Sequence, residues 1–117
     1  MGTVPVAKTF VIKRHARRPY LRVLLKGSDG VAFDLTGAAS VTFIMYDSEG
    51  LVKVNSPGVL ESPLTTGVVK YQWGATDTNT AGEYRAEFDI VYTGGEKLTV
   101  PIKGNLAVRI YEDLNNA

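Results

Sequence analysis

Cysteine is absent from the 117 residues. That removes thiol catalysis, thiolate metal ligands and disulfides together, and suits a chain that folds in a reducing cytoplasm. Histidine occurs once, as His15. A zinc site built from nitrogen and sulfur ligands is therefore disfavoured, and a Ser-His-Asp triad would have to rest on a linker residue flanked by Arg14 and Arg17. Long apolar runs are also missing: none approaches the roughly 20 residues of a membrane span. The N-terminal segment Met1 to Lys8 lacks the basic-then-apolar order of a secretion signal. The expected product is one soluble domain with no membrane contact and no cofactor.

What is present is ordinary in amount and uneven in place. With 44% hydrophobic and 21% charged residues the composition is that of a globular domain, so disorder and collagen-like repeats are excluded. A chain of this length buries roughly two-thirds of its unfolded surface. The net charge of +1 hides a strong asymmetry. Residues 1 to 26 hold seven Lys/Arg and no acid, whereas residues 27 to 117 hold six Lys/Arg against twelve Asp/Glu. A basic arm on an acidic body can bind phosphates, or it can meet the acidic face of a neighbouring subunit.

Helical periodicity is nearly absent. Apolar and polar residues alternate in short runs punctuated by Gly, Pro, Asp, Asn and Ser, the pattern of all-β architecture. Phe10 and Ile12 mark a first strand; Leu21, Val23 and Leu25 mark a second. Ser28-Asp29-Gly30 turns into a short run Val31 to Phe33, and Asp34 to Gly37 turns again before Val41 to Tyr46. Asp47 to Gly50 closes a hairpin onto Leu51 to Val54. Residues 55 to 67 read as a loop with a short edge segment at Val59-Leu60.

Val69, Tyr71 and Trp73 share one face of the next strand, which points Trp73 into the core. Tyr84, Ala86, Phe88, Ile90 and Tyr92 share a face of the cleanest strand, with Arg85, Glu87 and Asp89 opposite. Thr93 to Glu96 reads as a two-residue hairpin. Leu98, Val100, Ile102, Leu106, Val108 and Ile110 then alternate in register, interrupted at Pro101 and Gly104.

The fold this implies is all-β, an immunoglobulin-like antiparallel β-sandwich of seven to eight strands. Residues 1–19 form a basic N-terminal arm with the first strand, 20–111 the sandwich body and 112–117 a polar tail, one domain in all. Gly82 two positions before Tyr84 matches a tyrosine corner, in which the buried phenol bonds back to the preceding backbone. Ala86 stands where an antibody domain has its cysteine, so Trp73, Phe43 and Phe88 must fill the space between the sheets.

The series Asp29-Gly30, Asp34 to Ala38, Val41 to Phe43, Glu49-Gly50, Asp77, Gly82 to Phe88 and Tyr92 to Gly95 resembles the N-terminal immunoglobulin-like domain of phage baseplate upper proteins and related tail proteins. The similarity covers about residues 18 to 111. It implies a docking module that attaches one virion assembly to another. In that family a longer helical or receptor-binding part follows. A chain that stops with the domain is instead expected to be a stand-alone baseplate, tail, neck or decoration subunit, located in the virion and assembled in the host cytoplasm.

Few residues offer chemistry. Glu87 and Asp89, about 7 Å apart along one strand, approach a glycosidase pair but read better as the wet face of a sheet. The loops Asp77-Thr78-Asn79 and Asp47-Ser48-Glu49 hold calcium-type oxygens without EF-hand spacing, so turn chemistry explains them. Gly94-Gly95 is a hairpin and not a phosphate loop. Nucleic acid is disfavoured by the acidic body.

Docking between subunits fits both signs of charge. Arg14, Arg17 and Arg18 are the expected donors, Glu87 and Asp89 the expected receivers, and the partners are other virion proteins and copies of the chain itself. The alternative from another class is a carbohydrate-binding or adhesion module using Trp73, Tyr46, Tyr92 or Tyr111 as a platform.

Overall fold

The computed structural model describes residues 9–26, 30–101 and 105–114. Expectations for Lys8, Ser28-Asp29, Ile102, Gly104 and the end of the tail lie outside the described residues. Nine strands are described: β1 (Thr9–Lys13), β2 (Leu21–Leu24), β3 (Ala38–Asp47), β4 (Val52–Pro57), β5 (Val59–Leu60), β6 (Val68–Tyr71), β7 (Gly82–Tyr92), β8 (Lys97–Val100) and β9 (Leu106–Tyr111). They form two layers. The larger runs β1-β9-β7-β3-β4, with β8 also on β7, and the smaller runs β2-β6-β5. The fold is the immunoglobulin-like sandwich that the alternation implied.

The period of two sets the interior. Tyr84, Ala86, Phe88 and Ile90 of β7 are all buried, as are Leu21, Val23 and Leu25 from the opposite layer. Phe43 sits at the centre, stacked on Tyr71 with ring centroids 4.4 Å apart, edge-on to Trp73 at 5.7 Å and tilted against Phe88 at 5.1 Å. This aromatic cluster occupies the space between the sheets that Ala86 leaves open. The tyrosine corner is formed as well: Tyr84 Oη donates to the Thr80 carbonyl at 2.7 Å.

Several local features differ from the sequence reading. β1 pairs with β9 in parallel, Ile12 opposite Ile110, so the sandwich is not wholly antiparallel. The strand count exceeds eight because the two-residue β5 forms and because β8 and β9 lie end to end along β7, opposite residues 88–91 and 82–86 respectively. β4 continues to Pro57, shortening the expected 55–67 loop. As an edge strand it tolerates a proline that has no N–H to donate. Val31 to Phe33 makes no strand but a single bridge, Lys26 to Ala32.

The Thr93 to Glu96 hairpin holds three residues rather than two, as does the hairpin at Asp47 to Leu51. Tyr92 N donates to Glu96 O at 2.8 Å, and Asp47 N donates to Leu51 O at 2.9 Å. Gly95 and Gly50, at φ 91° and 86°, supply the left-handed residue that ends each turn. Gly67, at φ 70°, is constrained by space as well. A side chain there would meet Phe33 O at 2.6 Å and Leu25 O at 3.0 Å, because the chain between the layers passes directly against it.

Candidate functional site

The basic segment between β1 and β2 is where charge and shape coincide. β1 ends in a turn in which Ala16 N donates to Lys13 O at 3.1 Å. Its third residue, His15, takes φ 70°, the left-handed value that a type II turn requires and that glycine usually supplies. The turn is then fastened to the segment following β6. His15 N donates to Thr78 O at 3.0 Å, and the Thr78 hydroxyl donates to Ala16 O at 2.8 Å. Thr78 is 1% exposed, so these bonds replace water that cannot reach it. Trp73 Nε1 donates to Pro19 O at 3.1 Å, which anchors the far end of the turn.

Asp77 shapes the other wall. Its Oδ2 accepts from Tyr71 Oη at 2.5 Å and from Gly74 N at 2.6 Å. Burial first, and then the bond and charge of Asp77, push the Tyr71 hydroxyl up to about 12. Asp77 thus performs turn chemistry, as its loop position implied. So does Asp47, whose Oδ1 accepts from Glu49 N and Leu51 N at 2.9 and 3.0 Å.

Between the two segments lies an open cleft of about 420 Å³ lined by Arg17, Arg18, Tyr20, Gln72, Trp73 and Gly74. The three expected donor arginines separate here. Arg14 is turned onto its own chain, donating to Asp113 Oδ1 through Nε and Nη2 at 3.2 and 3.1 Å, with Glu112 at 3.5 Å. Arg17 and Arg18 are exposed and face the cleft. Arg17 Nε donates to the Trp73 carbonyl at 3.0 Å, and the Arg18 guanidinium lies 5.5 Å from the Tyr20 ring centroid. Among the described residues neither meets a carboxylate.

The neighbouring charges are paired. Arg22 holds Glu61 with bonds of 2.7 and 2.9 Å, and Lys70 Nζ lies 3.9 Å from the same carboxylate. The bond from Arg22 holds Glu61 below the usual carboxylate range.

The expected receivers stand on the outer face of β7 in the other layer. Both are half-buried. Asp89 accepts from the Thr99 hydroxyl at 2.7 Å and lies 3.9 Å from Lys97 Nζ, so an internal contact already engages it. Glu87, opposite Ile44 of β3, is the freer of the two. The aromatic platform suggested for a glycan is not assembled. Trp73 is 2% exposed, while Tyr46 is half-buried and accepts from Asn105 Nδ2 at 3.3 Å. Tyr111 is 46% exposed, under the Arg109 guanidinium at 5.1 Å. No group of three or more His, Cys, Asp or Glu placed to hold a metal occurs among the described residues.

The sequence marks Arg17 and Arg18 by charge and by Tyr20 directly after Arg17-Arg18-Pro19, whereas Gln72 and Gly74 carry no signal of the cleft.

No family model and no curated protein matches the chain. Among solved structures it is similar to CopC from Methylosinus trichosporium OB3b, with a TM-score of 0.57 and 10% identity over 98% of each chain. A looser likeness, to murine CRIg, has a TM-score of 0.39 and 7% identity over 97% of each chain, and carries no argument. At such identities what is shared with CopC is the fold: a β-sandwich of immunoglobulin type.

Proposed function

We propose that this chain is a non-enzymatic docking subunit of a phage virion, a baseplate, tail, neck or decoration component that works through contacts with other virion proteins and with copies of itself. The observation that carries the docking reading is the Arg17–Arg18 pair, held on a fastened turn without a carboxylate of its own chain among the described residues. These cations border the three-stranded layer, whereas Glu87 projects from the outer face of the larger one. One copy's pair and the same copy's receiver therefore face different ways. Contact between copies would be head-to-tail, a geometry that closes into rings or extends into filaments. The phage setting is supported by the sequence resemblance running from Asp29-Gly30 to Gly94-Gly95.

Sedimentation velocity of the wild type and of the Arg17→Glu/Arg18→Glu variant tests the docking reading. The wild type is expected to associate, and the variant to stay monomeric with an unchanged melting temperature. Normal assembly of the variant refutes the role of the pair. Genes for tail or head proteins on either side of the coding sequence would support the virion setting, and metabolic genes would count against it.

A further inference from the structure

The turn that carries Arg17 and Arg18 also builds a pocket around them. We infer that the cleft lined by Arg17, Arg18, Tyr20, Gln72 and Gly74 is a recognition site for a short, extended acidic segment of a partner protein, with the two guanidinium groups receiving carboxylates. The inference rests on the docking reading above and narrows it from a charged surface to one site and one class of ligand.

Three observations converge. First, both guanidinium groups are held in place before any ligand arrives. Arg17 is fixed through Nε on the Trp73 carbonyl, with no carboxylate on its Nη edge among the described residues, and Arg18 is steadied by the Tyr20 ring. A planar guanidinium whose orientation is already set loses little freedom on pairing, and its fork matches a carboxylate. Second, the floor is rigid, because the Thr78–Ala16 and Trp73–Pro19 bonds tie the two walls together. At about 420 Å³ the space falls within the range of ligand pockets, roughly 300–1,000 Å³. The exposed Gln72 amide at the rim offers both a donor and an acceptor to a peptide backbone.

Third, the positive field is confined. Asp77 lies behind Gly74, and Glu61 is held by Arg22 and Lys70, whose ammonium sits 5.8 Å from the Tyr20 ring centroid. Asp113 and Glu112 accompany Arg14 at the start of the turn. A nucleic-acid strand with regularly spaced phosphates would leave the cleft for a surface on which Arg14, Arg22 and Lys70 are already engaged by carboxylates. A segment with two or three acidic side chains ends before it does.

The test is fluorescence anisotropy of a labelled Gly/Ser decapeptide with Glu-Asp-Glu at its centre. Its Gln/Asn counterpart, with Gln-Asn-Gln there, a ten-residue oligothymidylate and inorganic phosphate serve as competitors. The acidic peptide is expected to bind the wild type, and the Gln/Asn peptide to compete at least about tenfold more weakly. Arg17→Gln/Arg18→Gln should lose at least about tenfold in affinity at an unchanged melting temperature, while Arg85→Gln, on the other layer, loses nothing. Arg17→Lys/Arg18→Lys keeps the charge but not the fork, and should recover only part of the loss.

The inference is overturned if the acidic peptide does not bind, if its affinity survives in the glutamine variant, if oligothymidylate binds more tightly, or if phosphate displaces the peptide at equal concentration. Assembly of the Arg17→Glu/Arg18→Glu variant is measured separately. Arginine-dependent assembly without peptide binding would end the cleft reading alone, and arginine-independent assembly would end the docking reading.

Discussion

Replacing Asp77 puts the architecture of the cleft to a quantitative test. Its carboxylate takes one bond from the Tyr71 hydroxyl and one from the Gly74 amide. Bonds to a charged acceptor contribute about 1.5–3 kcal/mol each, and because Asp77 is only half-buried the lower figure applies. Asp77→Ala should therefore cost about 3 kcal/mol, a fall of roughly 12 °C for a domain of this size. Tyr71→Phe should cost about 1.5 kcal/mol, and the double variant little more than Asp77→Ala alone, a coupling of about 1.5 kcal/mol.

Urea denaturation with a constant m-value measures each term. Costs that simply add, within about 0.5 kcal/mol, would refute the bonded pair. The same variant separates geometry from charge at the cleft. Removing a carboxylate bonded to the cleft lining at Gly74 should strengthen acidic-peptide binding by Coulomb's law alone. If Asp77 instead holds the wall that supplies the Trp73 carbonyl to Arg17, Asp77→Ala weakens binding. Asp77→Asn, which keeps an acceptor oxygen, then strengthens it. Tighter binding by the alanine variant would refute the role of the wall.

The remaining predictions concern the Tyr71 proton and the arginines of the turn. The Tyr71 hydroxyl holds its proton to about pH 12 in the folded protein against 10 in the unfolded chain, so the folded state binds that proton more tightly. The stability tied to this proton is fully present below pH 10 and is lost as the pH rises through 12. A plot of stability against pH for Tyr71→Phe should lack that step, and a step of equal size in the variant would exclude Tyr71 as its source. Arg14→Glu should destabilise the fold by about 1–2 kcal/mol, because it sets a carboxylate against Asp113 and Glu112 in a partly buried position. Arg17→Glu/Arg18→Glu should stay within about 0.5 kcal/mol of the wild type in the same thermal melts. Equal effects would mean that the turn does not divide these arginines.

The architecture was legible where the chemistry is local and failed to show where it depends on a distant partner. Tyr84, Ala86, Phe88 and Ile90 announce a buried face through their spacing alone, and Gly82 with Tyr84 announces the corner whose bond to Thr80 spans four residues. The direction of β1 is not encoded that way. Alternation of Phe10 and Ile12 says which side chains are inside, but the parallel pairing depends on β9, nearly a hundred residues away. Pro57 concealed the end of β4 because a proline is read as a break, although an edge strand with an idle N–H side accepts one. Val31 to Phe33 looked like a strand and found only one bridging partner. At the site, charge marked the correct segment without distinguishing its members. That Arg14 turns inward and Arg17 outward depends on Asp113, 99 positions from Arg14.

Folding also redistributes the charge asymmetry that the sequence displays. Of the seven cations before residue 27, Arg14 is neutralised by Asp113 and Glu112 and Arg22 by Glu61, while Arg17 and Arg18 face the cleft without a described counterion. The stretch from Arg14 to Arg18 is thus a fastened turn that sets two of these charges in the cleft, with Lys13 and Lys26 exposed outside it. An interaction that used all seven would collapse steeply as salt is added, since each exposed charge is screened over about 8–10 Å. One that uses two oriented guanidinium groups in a cleft depends less on long-range attraction and more on bidentate geometry. The Arg-to-Lys exchange should then weaken association more than a moderate rise in ionic strength does, an ordering that a diffuse electrostatic arm would reverse.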